Sequence, residues 1–255
     1  KGFELSEASS TPVMLELRIR ACHVQGSFKT KSNRESPYSK KNQLQAPDFD
    51  YDRICLPPAT YAQEKHKIDV RWPAAVSFIK DKKLNEFFAG EMTDLGIICQ
   101  GGMYNAVLRA LQALGLADVF GASRVPIYCL NVTYPLIPEE FVSFSSSKRR
   151  FLIVEEGQPA YIEDAVQAAL RRAAVNDVTV SGKDVLPMAG EYTGEVVLTG
   201  LSRFFNQNHS VEKIKSLKQK ATELLGGLPA PAPGFCVGWP GRAVFSGVEG
   251  LEEGT

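Results

Sequence analysis

Short apolar runs alternate with amphipathic stretches from about residue 95 to residue 182, and this rhythm restricts the fold more than any other feature. LGIICQ (95–100), VPIYCLNV (125–132), RRFLIVEEG (149–157) and VTVSG (178–182) each read as a strand. Near-continuous apolar runs of this kind belong to strands buried on both faces. Between them, Tyr104, Val107, Leu108, Leu111 and Leu114 share one helical face. Pro138 to Phe144 suits a short helix. Ala160 to Ala174 suits a long one, with Tyr161, Ala165, Val166, Ala169 and Leu170 as its buried stripe. Strand–helix–strand crossovers of this length favour parallel pairing and right-handed connections. The expected fold class is α/β, with a mostly parallel sheet and helices on both faces.

The flanks are less regular. Pro12 to Arg20 alternates apolar and polar residues as a half-buried strand does. From Gly26 to Arg53 apolar residues thin out while Lys29, Lys31, Arg34, Lys40 and Lys41 accumulate, which reads as a solvated connection. Pro57-Pro58 opens a helical stretch and Pro73 marks a break or a new start. Val211 to Leu225 predicts one more amphipathic helix, ended by Gly226-Gly227. Pro229, Pro231 and Pro233 then make a stiff linker.

Charge and cysteine usage narrow the function classes. Lysine plus arginine equals aspartate plus glutamate at 29 each, so no overall field favours nucleic acid or an anionic membrane. No apolar run approaches the roughly 20 residues that span a bilayer. The five cysteines are scattered without a CxxC pair, as expected of a reducing, cytoplasmic setting.

Candidate sites follow from position. Gly101-Gly102 sits where a strand turns into a helix, and ligands of parallel sheets gather beyond strand carboxyl ends. Gln100, Tyr104 and Asn105 are the expected lining residues. The turn lacks dinucleotide G-x-G-x-x-G spacing and has no GK[ST]. Glu155-Glu156 could serve acid–base chemistry, but paired carboxylates at a strand end more often partner an arginine or a helix N-terminus, and that structural role is favoured here. His23, in Arg20-Ala21-Cys22-His23, follows the first alternating segment; His66 and His209 lie in polar stretches. No Ser-His-Asp arrangement and no histidine–carboxylate cluster with metal spacing can be argued.

Three segments together carry a resemblance. LGIICQGGMYNAVLRALQALG, VPIYCLNVTYPLIPEEF and RRFLIVEEGQPAYIEDAVQAAL resemble, in order and spacing, the transketolase-C-like domain of the indolepyruvate ferredoxin oxidoreductase family. PPATYAQEKHKIDVRWPAAVSFI is similar to that family's helical lead-in, and APAPGFCVGWPGRAVF to the opening of its thiamine-binding domain. The resemblance implies four parts: the end of a pyrimidine-type domain (1–28), linker and lead-in helices (29–90), the α/β domain (91–205), and a helix, linker and the start of a second thiamine-binding domain (206–255). Beginning at Lys1 and stopping at Thr255, the chain reads as an internal piece of a longer polypeptide.

The implied activity is oxidative decarboxylation of indolepyruvate or related aryl or branched 2-oxoacids, with coenzyme A taking the acyl group and ferredoxin the electrons. The implied cofactors of the whole enzyme are thiamine diphosphate, Mg2+ and a [4Fe-4S] cluster. Implied partners are the other domains of the same enzyme and a second copy in a dimer, with no nucleic acid and no membrane. Arg20 and His23 match the family's RxxH ending and, with Gln100 and Asn105, are the expected cofactor-facing residues. Cys236 falls on the family's cluster motif, but its second cysteine would fall on Trp239, whose indole offers no lone pair to iron. Two alternatives stay open: a diverged, non-catalytic contact platform, or a transketolase or 2-oxoacid dehydrogenase subunit without ferredoxin.

Overall fold

The computed structural model describes residues 1–18, 27, 29, 54, 56–206, 216, 219, 220, 222 and 223. The chain divides into two units, Lys1–Val211 and Glu212–Thr255. In the second, Gln219 Nε2 donates to Glu223 Oε1 at 3.2 Å, an i,i+4 pair. The remainder of the expected 211–225 helix lies outside the described residues, as do the proline linker, Cys236 and Trp239.

In the first unit, α1 (Gly2–Ser9), α2 (Ala59–His66) and α3 (Trp72–Asp81) precede β1 (Glu86–Phe88). There follow β2 (Leu95–Gln100), α4 (Tyr104–Ala113), β3 (Ile127–Leu130), α5 (Pro138–Ser145), β4 (Arg150–Val154), α6 (Tyr161–Arg172), β5 (Thr179–Ser181) and α7 (Gly194–Phe204). The sheet order is β1-β3-β2-β4-β5. All pairings are parallel except β1 with β3, which is antiparallel. The α/β fold class expected from the apolar rhythm is therefore the observed one.

Alternation along the strands sorts the core into two layers. Ile97, Cys99, Ile127, Cys129, Leu152 and Val154 face α4 and α7, meeting Val107, Leu111, Val197 and Leu201. Ile98, Tyr128, Leu130, Phe151 and Ile153 face α5 and α6, meeting Phe141, Phe144, Ile162 and Val166. Each such aliphatic or aromatic side chain contributes about 1.5–3 kcal/mol when taken fully out of water. A smaller cluster of Leu5, Ala75, Ile79 and Ile137 packs α1 against α3.

Local signals fix the helix ends. Gly115, at φ +72°, follows α4 in the left-handed conformation that glycine adopts at least cost. Thr193 caps α7, its hydroxyl accepting the Val196 N–H at 3.4 Å. Glu163 and Asp164 lie in the first turn of α6 and Arg171 and Arg172 in its last, so both ends complement the helix dipole.

Three expectations need correction. Residues 12–18 form no strand. Alternation cannot build one without a ladder partner, and Met14, Leu15 and Leu17 are instead exposed at 86%, 64% and 79%. In α6 the buried stripe begins at Ile162, while Tyr161 is exposed. Glu155, at the helix N-terminus, sets that rotation by binding the Ile162 and Glu163 N–H groups. Finally, β1 and α7 were not expected, yet β1 forms one edge of the sheet and α7 covers half of one face.

Among the described residues no helix is long and apolar enough to cross a membrane.

Candidate functional site at the carboxyl edge of the sheet

The strand order places the switch point between β2 and β4. The chain leaves β2 toward β3 and leaves β4 toward β5, so helices diverge to opposite faces and a crevice opens beyond the two carboxyl ends. Gln100 and Gly101-Gly102 stand on one side, Glu155-Glu156-Gly157 on the other.

Glu155 is buried, and among the described residues no ion pair engages its carboxylate. The Ile162 N–H donates to Oε1 and Oε2 at 2.9 and 3.0 Å, and the Glu163 N–H donates to Oε2 at 3.2 Å. The carboxylate therefore satisfies otherwise orphaned donors at the α6 N-terminus, where the helix dipole also favours a negative charge.

Glu156 gathers three segments. Arg18 grips it in bidentate fashion, Nε to Oε2 at 2.8 Å and Nη2 to Oε1 at 2.7 Å. The Tyr192 N–H donates to Oε1 at 2.6 Å, and the Glu156 N–H itself donates to Gln100 Oε1 at 2.9 Å. Arg18 Nη1 also reaches the Gly102 carbonyl at 3.4 Å, and Nη2 lies 3.8 Å from Glu191 Oε1. The paired carboxylates thus do what paired carboxylates at a strand end usually do: one caps a helix and one holds an arginine.

Lys183 completes the edge. Its ammonium donates to the Glu155 carbonyl at 2.5 Å, the Gly157 carbonyl at 2.7 Å and Tyr192 Oη at 2.9 Å, which uses all three of its protons. Tyr192 Oη in turn donates to the Pro187 carbonyl at 2.6 Å. Burial holds the Lys183 ammonium below the usual lysine range, against the opposing pull of Glu155, Glu163 and Glu156. Burial, and then the same three carboxylates, push the Tyr192 phenol up to about 12.

The glycines of the strand–helix turn serve close approach. A Cβ on Gly101 would sit 2.6 Å from Asn131 Oδ1, and one on Gly102 would sit 3.0 Å from Arg18 Cδ. Asn131 is itself anchored, donating to the Leu84 carbonyl at 2.9 Å and to Glu86 Oε2 at 2.8 Å.

Of the residues expected from sequence, Gln100 and Asn105 both stand at this edge. Gln100 is half-buried with its oxygen committed to Glu156, and Asn105 is exposed on the first turn of α4. Arg20, His23 and Cys236 lie outside the described residues. Arg18, Lys183, Tyr192 and Asn131 are central to the geometry and were not singled out from sequence. Arg18 meets Glu156 across 138 positions, a separation that no local pattern encodes.

A metal or cluster finds no fit among the described residues. No group of three or more His, Cys, Asp or Glu side chains is placed to hold an ion. Cys99 and Cys129 are free thiols buried in register on β2 and β3. The neighbouring Cys129 thiol and then burial push the Cys99 thiol up, so it stays protonated inside the core.

No family model matches the chain. It is 28% identical over 253 residues to the indolepyruvate oxidoreductase subunit IorA of Methanothermobacter thermautotrophicus, covering 97% of this chain. The IorA subunits of Methanothermobacter marburgensis (28% over 256 residues, 97% of this chain) and Archaeoglobus fulgidus (25% over 244 residues, 95%) are similar too. The chain spans 37%, 37% and 36% of the length of these curated relatives. Among solved structures, it is similar to a 2-oxoglutarate:ferredoxin oxidoreductase from Magnetococcus marinus with 2-oxoglutarate, coenzyme A and succinyl-CoA bound. That similarity has a TM-score of 0.39 and 16% identity, over 79% of this chain and 30% of that one. A split-gene transketolase, described as an inactive beta4 tetramer, gives 0.35 and 18%, over 47% and 40%.

Proposed function

Because the chain is a relative of the IorA subunits of indolepyruvate oxidoreductase along almost its whole length, we propose that it is one section of a 2-oxoacid:ferredoxin oxidoreductase. The substrate in this reading is indolepyruvate or a related aryl or branched 2-oxoacid, with coenzyme A as acyl acceptor and ferredoxin as electron acceptor. The observation that carries it is the similarity over 97% of the chain, which runs through every segment rather than one motif. The four-part division at residues 28, 90 and 205, assembly with other subunits, and a dimer belong to the same proposal.

Within that enzyme the α/β unit acts as a positioning and contact module, because its edge chemistry is spent on structure. Glu155 holds α6, Glu156 holds Arg18, and Lys183 holds the β4 terminus and Tyr192. None of these groups is left to shuttle a proton without breaking a structural bond. Thiamine diphosphate, when bound in the longer enzyme, would supply the attacking carbon and the electron sink for decarboxylation. Arg20, His23 and Asn105 are the residues of this chain proposed to face it, and Gln100 contributes by holding Glu156. The described residues do not fit a metal or cluster, and no step is assigned to one.

The test is a turnover assay on the longer protein and on this 255-residue section in parallel, with indolepyruvate, coenzyme A, thiamine diphosphate and ferredoxin. The longer protein should reduce ferredoxin in a substrate-dependent way and the section alone should not. Turnover by the section alone would overturn the module reading, and failure of the longer protein with every aryl and branched 2-oxoacid would overturn the substrate class.

A further inference from the structure

Cys99 and Cys129 are the free cysteines among the described residues, and they stand side by side. Cys99 of β2 and Cys129 of β3 are paired in register across a parallel ladder. Both side chains leave the sheet on one face, into the layer covered by α4 and α7. Neighbouring strands run about 4.8 Å apart. That spacing falls within the roughly 4.4–6.8 Å that the α-carbons of a disulfide span, toward its short end.

The two buried thiols are not equivalent. The Cys99 S–H donates to the Cys129 sulfur, which holds the Cys129 thiol below its ordinary range against burial and the Glu86 carboxylate. Cys129 Sγ in turn donates to Asn131 Oδ1 at 3.7 Å, and Asn131 is exposed just beyond the carboxyl end of β3. Cys129 is thus the better nucleophile, on the side toward solvent, and Cys99 is the thiol placed to resolve it. As core residues alone the two would need only their volume. Paired at one ladder position, they also hold a bond-forming geometry.

We propose that Cys99 and Cys129 are a dithiol site that hydrogen peroxide oxidises to a disulfide joining β2 to β3. The Cys129 thiolate, its proton given up to water, attacks one peroxide oxygen. The O–O bond breaks, and the departing hydroxide takes up a proton as water. The Cys99 sulfur then attacks the sulfenic acid left on Cys129. The S–S bond forms, the S–O bond breaks, and the hydroxide leaves with the Cys99 proton as a second water. Two thiols lose two electrons and two protons, and peroxide is reduced to two waters. Peroxide is little larger than water, so a local opening at the sheet edge that admits water admits it. The bond ties the strands one residue before Gln100, at the carboxyl edge. The strand spacing exceeds the usual β-carbon separation of about 3.8 Å, so the bridge is strained and readily reduced.

The experiment uses the 255-residue chain carrying Cys22→Ser, Cys55→Ser and Cys236→Ser, which leaves this pair alone. Equimolar hydrogen peroxide should remove both thiols together, and peptide mapping without reduction should find Cys99 linked to Cys129 within one monomer. The yield should be at least about tenfold above that in urea, where no ladder holds the sulfurs together. Reduced glutathione should restore both thiols. With Cys99→Ala added, Cys129 should persist as a sulfenic acid trapped by dimedone; with Cys129→Ala instead, Cys99 should stay unlabelled. Mapping the unsubstituted chain in parallel gives the same reading without the serines. Thiols that survive peroxide in the folded chain overturn the proposal, as do disulfide-linked dimers, a yield no higher than in urea, or dimedone on Cys99.

Discussion

The two ends of one sheet treat charge in opposite ways. At the carboxyl edge Glu155, Glu156 and Lys183 are each tied to backbone groups, and Arg18 is drawn in from a distant segment to balance them. At the amino edge Lys148 is buried too, and among the described residues its amine meets only the Phe144 ring, 4.3 Å from the centroid. A buried charge costs least when it is spent on hydrogen bonds, and the two edges differ in how far that is achieved. Where a parallel sheet would ordinarily receive a ligand, this chain carries a brace of charged and polar side chains.

The sharpest way to break that contrast is Glu155→Ala. It strips the partners from the Ile162 and Glu163 N–H groups in a buried setting and should cost about 2–3 kcal/mol, read from urea unfolding of the chain. A loss below the error of the extrapolation would mean that the carboxylate is not what holds α6. A somewhat smaller effect, about 1–2 kcal/mol, is expected for Gly101→Ala, which drives a methyl into Asn131 and loosens its grip on Leu84 and Glu86. Unchanged stability there would show that the turn has slack.

Tyr192→Phe should cost about 1 kcal/mol at neutral pH, by removing one acceptor from Lys183 and one donor from Pro187. The same tyrosine predicts a pH effect. Burial and the nearby carboxylates raise its phenol in the folded state to about 12 from an ordinary value of 10.0, so the folded chain binds more protons than the unfolded chain between those values. Stability from this group is full below pH 10 and is lost as pH rises toward 12. Alkaline unfolding curves of the parent and Tyr192→Phe chains should converge across that window, and parallel curves would show the phenol to be unshifted.

The smallest effect belongs to the Arg18–Glu156 pair, whose side chains keep about a quarter of their exposure. Separating it should cost about 1 kcal/mol or less of global stability. It should nevertheless raise amide exchange across residues 12–18, which have no strand to hold them. Arg18→Ala, which leaves the Tyr192 N–H its Glu156 acceptor, isolates the contact, and unchanged exchange in that variant would show that the pair holds nothing.

Much of this was legible in the sequence, for reasons that can be stated. β2, β3 and β4 announce themselves because strands covered on both faces must be apolar throughout, and α4 because its stripe repeats at helical spacing. Glu155 and Glu156 were readable as brace residues because a strand end followed by a helix start supplies unpaired N–H groups. β1 was not legible, since three residues show no period. α7 does carry a signal, with Thr193 as cap and Val197, Leu201 and Phe204 on one face. The strand expected at residues 12–20 failed over its described part because alternation reports amphipathicity and not a partner. Arg18, Lys183 and Tyr192 converge only through the fold, and the burial of Lys148 against Phe144 likewise has no local signal.

The idea that the carboxyl edge braces the fold and takes no part in proton transfer is tested most directly by Glu156→Gln in the longer protein, measuring 2-oxoacid-dependent ferredoxin reduction across pH. The amide keeps the size and an acceptor oxygen, so kcat should stay within about threefold and the pH profile should keep its shape. A fall of about 10²–10⁴-fold with a lost limb of the pH profile would identify Glu156 as an acid–base group and contradict the brace.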